Sequence, residues 1–509
     1  GGMMLKIQIN NQEDLSNLVD KIERELQDNF QQRSASYWNQ ILKMAYRDPN
    51  IIDEERSMIL LNPEYRFTVE DWLPKVEDRL LKRKLELLKQ EFLSARVSSE
   101  PEVFALKNKL DCQIINFTPE IDGQPYDRGT LYNIIEKEDK RKQRESAWRA
   151  LTGLGKEIES ETALLCSLRN EKVKPLGYKH YGELCFFLED LDKETIFTLF
   201  EQILNLTEEP YKKLVEDCKE KLSADKVYLW DIKYYQYKYL SSLKDSLFPK
   251  EGIIKSIEHL FKKFKLSTTD LPIKVEYCDI PYGGMSVTLE VGKDVRVLAN
   301  PQEGYNWYEV LYHEFGHALH NCFIQTPSFI IGTGEPDYFK EGMACIFQKF
   351  MSDKEWLGEY FNISEEVIKT FLSQNRLKNC YWYRRLINDY LFEYSIYENP
   401  EGDLNSRYKE YVKKHLFLDL PEDFSWAYDP VYTTHPLYLQ NYLLAEIIAY
   451  QTINYYKEHH GSTFSPDFLT FLKEKYYKDG GLKLWQEKIQ DATGAKLEAS
   501  SLIKMMGNI

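Results

Sequence analysis

A mainly α-helical protein with one small β-unit is what this sequence predicts. Three observations point there. Apolar residues recur at helical spacing through most of the chain. Strict alternation of apolar and polar residues is confined to residues 273–299. No Gly/Ser linker, low-complexity tract or internal repeat interrupts the pattern, so residues 1–509 read as a single unit.

In chain order, residues 11–31 carry Leu15, Leu18, Val19, Ile22 and Leu26 on one helical face. Residues 68–97 predict a second long helix, and Pro101 opens a third. Pro119, Gly123 and Pro125 make residues 117–128 a loop. Residues 129–170, 193–222 and 232–265 return to helix, with mixed-sign charge runs such as 136–142 on solvated faces. The β-unit follows: 273–277 and 285–291 alternate, and Gly292-Lys293-Asp294 turns into 295–298. Strand 285–291 is expected to be an edge able to pair with an extended peptide. Next comes a helix over Asn306–Cys322, with Trp307, Val310, Leu311, Phe315, Ala318, Leu319 and Cys322 as its packing stripe. His313, His317 and His320 fall on the opposite side. Gly316 in its middle costs roughly 1 kcal/mol against alanine, which implies a close neighbour at that turn. After a loop over 332–337, Glu341 opens another helix, through Phe350.

Bulk composition sets the limits. At 509 residues and 43% apolar, the chain can bury a large core. A net charge of −15 argues against sequence-independent nucleic-acid binding. No stretch is apolar enough to predict a membrane span. The eight cysteines lack C-x-x-C spacing and read as free thiols of a reducing compartment. Gly1-Gly2-Met3-Met4 reads as a short addition ahead of a native start, which makes a cytoplasmic location the expectation.

The chemistry is concentrated in His313-Glu314-Phe315-Gly316-His317, an H-E-x-x-H pattern. Residues i and i+4 stand one above the other on a helix, so two imidazoles can share one Zn²⁺. Glu314, one position round, can reach a water on that ion and act as general base. A catalytic zinc takes three protein ligands and keeps one position open. His320 lies roughly 10 Å along the helix from His313 and cannot join both histidines on one ion. Glu341 is the favoured third ligand, because a carboxylate in the first turn of a second packed helix would face the metal rigidly. Asp337 and Glu335 are the alternatives. His180, His259, His415, His459 and His460 have no partner at ligand spacing.

His313-Glu-Phe-Gly-His-Ala-Leu-His320, with a glutamate 28 residues after the first histidine, resembles the gluzincin peptidases of the thimet oligopeptidase and oligoendopeptidase F group. Leu168-Arg-Asn-Glu-Lys-Val-Lys-Pro-Leu-Gly-Tyr-Lys-His-Tyr-Gly-Glu-Leu184 and Trp230-Asp231-x-x-Tyr234-Tyr235 are similar to two further segments of that group. The similarity spans roughly residues 140–455, the region expected to be the catalytic core; residues 1–130 are expected to form a helical, lid-like region. The resemblance implies a large prolate helical metallopeptidase fold, with two lobes flanking a deep channel and one zinc ion at its floor. It also implies that the small sheet lies near the active site and clamps substrate through strand 285–291.

Near the C-terminus, His435-Pro-Leu-Tyr438-Leu-Gln-Asn-Tyr442-Leu-Leu-Ala-Glu446 is similar to the angiotensin-converting enzyme segment that carries an oxyanion-stabilising tyrosine. The similarity assigns Tyr442 that role, with Tyr438 second and His435 as a donor to the substrate backbone. Asn441 and Cys345 depart from the relatives, which carry an arginine linked to chloride binding and an acidic residue there. The expected activity is zinc-dependent hydrolysis of short unstructured peptides. A related zinc exopeptidase, with Arg376, Lys378, Arg384 or Arg385 anchoring a terminal carboxylate, is one alternative; a non-catalytic peptide-binding relative is the other.

Overall fold

A computed structural model describes residues 7–240 and 243–506. Residues Gly1-Gly2-Met3-Met4 lie outside them. The chain is mainly helical with one small three-stranded sheet, as predicted. It divides into two compact units. One comprises the chain up to Arg96, Leu243–Ser364 and Leu444–Ser501; the other comprises Val97 onward to the break, Glu365–Leu443 and the chain from Leu502. No helix among the described residues is long and apolar enough to cross a membrane. All eight cysteines are free.

In the first unit, helix Gln12–Ile41 starts at Asn11, whose side chain accepts from the Asp14 N–H. It runs ten residues beyond its predicted end. Leu15, Leu18, Val19, Ile22 and Leu26 are all buried, in one cluster with Leu81, Leu85, Leu88 and Phe92. Each such burial contributes about 1.5–3 kcal/mol. The predicted helix 68–97 is two helices, Pro63–Trp72 and Arg79–Ser98, separated by a 3₁₀ turn over Leu73–Lys75. Pro74 explains the break, since it donates no N–H and its ring clashes with the preceding turn.

The sheet places Asp294–Ala299 in the centre, parallel to Ile273–Tyr277 and antiparallel to Gly284–Glu290. Gly284–Glu290 is an edge strand, as predicted, and it packs on helix Tyr305–Cys322. A Cβ at Gly284 would sit 2.6 Å from Leu311 Cδ2, so a side chain there would hold the strand off the helix. Gly316 explains itself in the same way. A Cβ there would lie 2.9 Å from Ala344 Cα and 3.0 Å from Phe347 Cβ, so its absence lets helix Asp337–Gln348 close onto helix Tyr305–Cys322. That second helix starts four residues earlier than predicted and holds Glu341 in its second turn.

In the second unit, the predicted loop 117–128 contains a two-residue hairpin, Glu120–Ile121 with Gln124–Pro125. Asp122 and Gly123 turn it with positive φ. The segment 129–170 is covered by three helices, Arg128–Lys137, Arg141–Thr152 and Leu154–Val173. Two of the family-like segments act here as clamps. Arg169 donates to Tyr397 Oη and to the carbonyls of Tyr432 and Thr433, and Asn170 donates to the Tyr397 carbonyl. The fully buried Asp231 carboxylate accepts from Arg141, Arg144 and its own helix start at Tyr228 N. Removing one member of such a buried set costs about 3–5 kcal/mol.

Candidate metal centre

Helix Tyr305–Cys322 and helix Asp337–Gln348 bring His313, His317 and Glu341 together. Glu341 Oε2 lies 2.8 Å from His313 Nε2, and Glu341 Oε1 lies 3.1 Å from His317 Nε2. One atom from each residue falls within 4.8 Å of the others, and this is the one such group among the described residues. Of the three carboxylates that sequence reasoning weighed, Glu341 meets the histidines. Asp337 is exposed at the helix start. Glu335 is buried elsewhere, 2.9 Å from Lys488 Nζ and 2.9 Å from His320 Nε2.

The donor set fits a zinc ion. Tetrahedral ligands at about 2.0–2.1 Å stand roughly 3.3 Å apart, so small outward shifts of Glu341 admit one. The outer contacts fit as well. Gln348 Nε2 faces Glu309 Oε2 at 3.5 Å, which turns its Oε1 toward His313 Nδ1 at 2.8 Å. An acceptor there makes Nδ1 the protonated nitrogen and leaves Nε2 for the metal. The same groups hydrogen-bond one another. Burial pushes Glu341 up, but its hydrogen bonds to His313 and His317 prevail and hold it well below the usual carboxylate range. Burial pulls His313 down, but hydrogen bonds with Cys345 and Glu341 prevail and hold it well above the usual imidazole range. A half-buried carboxylate between two imidazoles could hold a divalent cation.

Glu314 sits against this group. Burial raises its pKa, opposed by the charges of His317 and His313 and by the Ser286 backbone N–H that it accepts. Behind the group, Glu309 is raised to about 7 by burial, offset in part by Lys349. Lys349 is itself paired with Glu446 at 2.6 and 2.8 Å. A cavity of about 560 Å³ adjoins the centre, with His317 and Glu341 in its wall, the edge strand along one side and helix Gln12–Ile41 along another.

Sequence reasoning misplaced His320. It was expected on the polar side, but it is sealed, 1% exposed, against Glu335, Phe339 and Tyr477. Val310, expected in the packing stripe, is 36% exposed. Sequence reasoning also passed over Gln348 and Glu309. Gln348 had a readable signal, since it stands seven residues after Glu341, two turns along the same face. His435, Tyr438 and Tyr442 belong to the second unit and form a ladder of rings, with centroids 5.6 and 5.5 Å apart. Tyr442 lies in the first turn of helix Gln440–His460 and is 44% exposed. Two of the four suggested carboxylate anchors are committed within their own unit. Arg384 bonds the carbonyls of His415 and Leu204, and Arg385 bonds Asp389, Tyr381 and Tyr428.

The fold has a known counterpart. A solved structure of Pz peptidase A with inhibitor 2 matches with a TM-score of 0.72, covering 98% of this chain and 93% of that one at 16% sequence identity. The chain therefore has the fold of Pz peptidase A, the one expected from the thimet oligopeptidase resemblance. No family model matches the sequence, and no curated protein matches it.

Proposed function

We propose that this chain is a zinc-dependent peptidase that cleaves short, unstructured peptides. The observation that carries the reading is the placement of Glu314, a half-buried carboxylate beside two imidazoles that share a third ligand from a second helix. The fold shared with Pz peptidase A supports it. A zinc ion on His313, His317 and Glu341 would supply Lewis acidity, lowering the pKa of water and polarising the scissile carbonyl. Glu314 takes the proton of the attacking water and delivers it to the leaving amine. Its raised pKa strengthens it as a base for the proton uptake. The edge strand Gly284–Glu290, paired on one side within its sheet, offers backbone groups to an extended peptide.

Tyr442 is assigned the oxyanion, with Tyr438 as second donor and His435 bonding the substrate backbone. The support is their sequence context and the ring ladder that holds them in order. The N-terminal region takes part in enclosing substrate, since Phe30, Arg33, Ser34 and Tyr37 wall the cavity.

Metal analysis and a quenched-peptide assay test the reading together. One zinc per chain and cleavage of flexible peptides are expected. Glu314→Gln should keep its zinc and lose about 10²–10⁴ in rate. A protein that holds zinc but cleaves nothing in a broad peptide library would sink the proposal.

A further inference from the structure

We infer that the cavity beside the metal centre is a subsite for a substrate carboxylate, received between Lys340 and Arg33. The inference rests on the peptidase reading and names a substrate class for it: peptides with an acidic side chain or a free C-terminal carboxylate close to the cleaved bond.

Two cationic side chains face the cavity in an acidic protein. Lys340 and Arg33 both line it, whereas its one carboxylate, Glu341, is engaged by His313 and His317. The chain as a whole carries a net charge of −15, so two cations facing one cavity are not a general property of the surface, although Arg33 is already paired with Asp53. Neither cation is saturated. Lys340, half-buried, donates to the Thr333 carbonyl at 3.2 Å, and no carboxylate among the described residues lies within ion-pair distance of it. An ammonium has three donors, so two remain. Arg33 gives its Nε–H to Asp53 at 2.9 Å, and its terminal nitrogens have no partner among the described residues. A carboxylate, with about four lone-pair positions, complements donors of both kinds. The wall also carries the apolar side chains of Phe30, Met285 and Val291, which suit the stem of the group that carries the charge. A substrate lysine would meet like charge here, and a neutral side chain would leave both donor groups unused.

The location ties the subsite to catalysis. Lys340 directly precedes the ligand Glu341 on one helix, and the cavity also contains Ser286, whose backbone N–H holds Glu314. A peptide lying along the edge strand therefore passes the metal and the cations in one stretch.

The experiment uses the full chain loaded with zinc. Glutamate is walked through three positions on each side of the cut in a quenched peptide, against glutamine at the same position, with free and amidated C-termini. At one position, glutamate is expected to raise kcat/KM over glutamine by about tenfold to a hundredfold, the range of a charge-assisted hydrogen bond. If the bound group is instead the terminal carboxylate, amidation removes the same factor and the internal walk is flat. Lys340→Met and Arg33→Met should each collapse the ratio, Lys340→Arg should keep it, and Lys340→Glu should reverse it in favour of lysine peptides. Zinc content, measured in each variant, separates loss of recognition from loss of metal. Dissociation constants of the same peptides on Glu314→Gln should show the same preference without turnover. Cleavage with ratios within twofold everywhere and no effect of amidation overturns the subsite and leaves the peptidase reading standing. Carboxylate-selective binding without any cleavage by the wild type does the reverse. Neither binding nor cleavage overturns both.

Discussion

His317 and His320 stand one turn apart on the same helix, and each meets a glutamate. His317 Nε2 lies 3.1 Å from Glu341 Oε1, with side chains 16% and 28% exposed. His320 Nε2 lies 2.9 Å from Glu335 Oε1, with side chains 1% and 2% exposed. The third partner separates them. At Glu341 it is a second imidazole, His313, and a cavity opens beside the group. At Glu335 it is the ammonium of Lys488, 2.9 Å away, which also donates to the Tyr476 carbonyl and lies over the Phe339 ring. A lysine fills the Coulombic place that a metal ion would take, and the surrounding rings close the site. The same pair of residue types thus makes a candidate metal site where a second imidazole is added, and a structural lock where a fixed cation is added.

Removing the carboxylate from each pair should break the comparison most sharply. Glu341→Ala leaves two ligands and should bring zinc below one-tenth of stoichiometric after dialysis, with peptide cleavage lost by more than about 10³-fold. Normal metal content in that variant would move the third ligand elsewhere. Lys488→Met attacks the lock instead. It leaves Glu335 buried with one weak partner and should cost about 3–5 kcal/mol in denaturant unfolding, with zinc content unchanged. Adding Glu335→Leu to Lys488→Met should recover most of that loss, because the uncompensated charge goes with it. A smaller effect sharpens the open site. Gln348→Leu removes the acceptor at His313 Nδ1 and should weaken zinc binding by about 10–100-fold, read by competition with a chelator, while Gln348→Glu should retain or strengthen it.

How far the sequence could be read follows from the range of each interaction. The shared face of His313 and His317 and the close approach at Gly316 are legible because helical phase fixes them within a few residues. Glu341 was legible because catalytic zinc needs a third ligand and a helix followed. His320 was misplaced for a related reason. Phase puts it on the same face as His313, but phase gives a direction and not what lies beyond it. What lies beyond it is Lys488, on a segment 153 residues after Glu335. Arg33 and Phe30 reach the cavity from the first helix in the same non-local way. Pro74 was local and readable, and its breaking of the predicted helix 68–97 should have outweighed the apolar periodicity on either side.

The two sites should also part company with pH, by the smallest and most diagnostic effect. Burial opposes ionisation of Glu335, but His320 and Lys488 outweigh it and bring its pKa down to about 2 from the ordinary value of 4.5. A lowered carboxylate pKa means that the unfolded chain binds more protons in the window between them. The stability from this lock is therefore complete above about pH 4.5 and drains away as pH falls toward 2. The open site in its metal-free state behaves in the opposite sense. His313 is held well above the ordinary imidazole value of 6.5, so its contribution is complete below pH 6.5 and is lost as pH rises through the raised value. Zinc competes with that proton, so the rise in Tm on adding zinc should grow with pH across and above the imidazole range. Thermal melts with and without zinc should show that growth in wild type and in Lys488→Met alike. In Glu341→Ala it should vanish. A zinc-induced shift that is flat with pH in wild type would mean that His313 holds no proton for the metal to displace, and that His313, His317 and Glu341 do not act as one site.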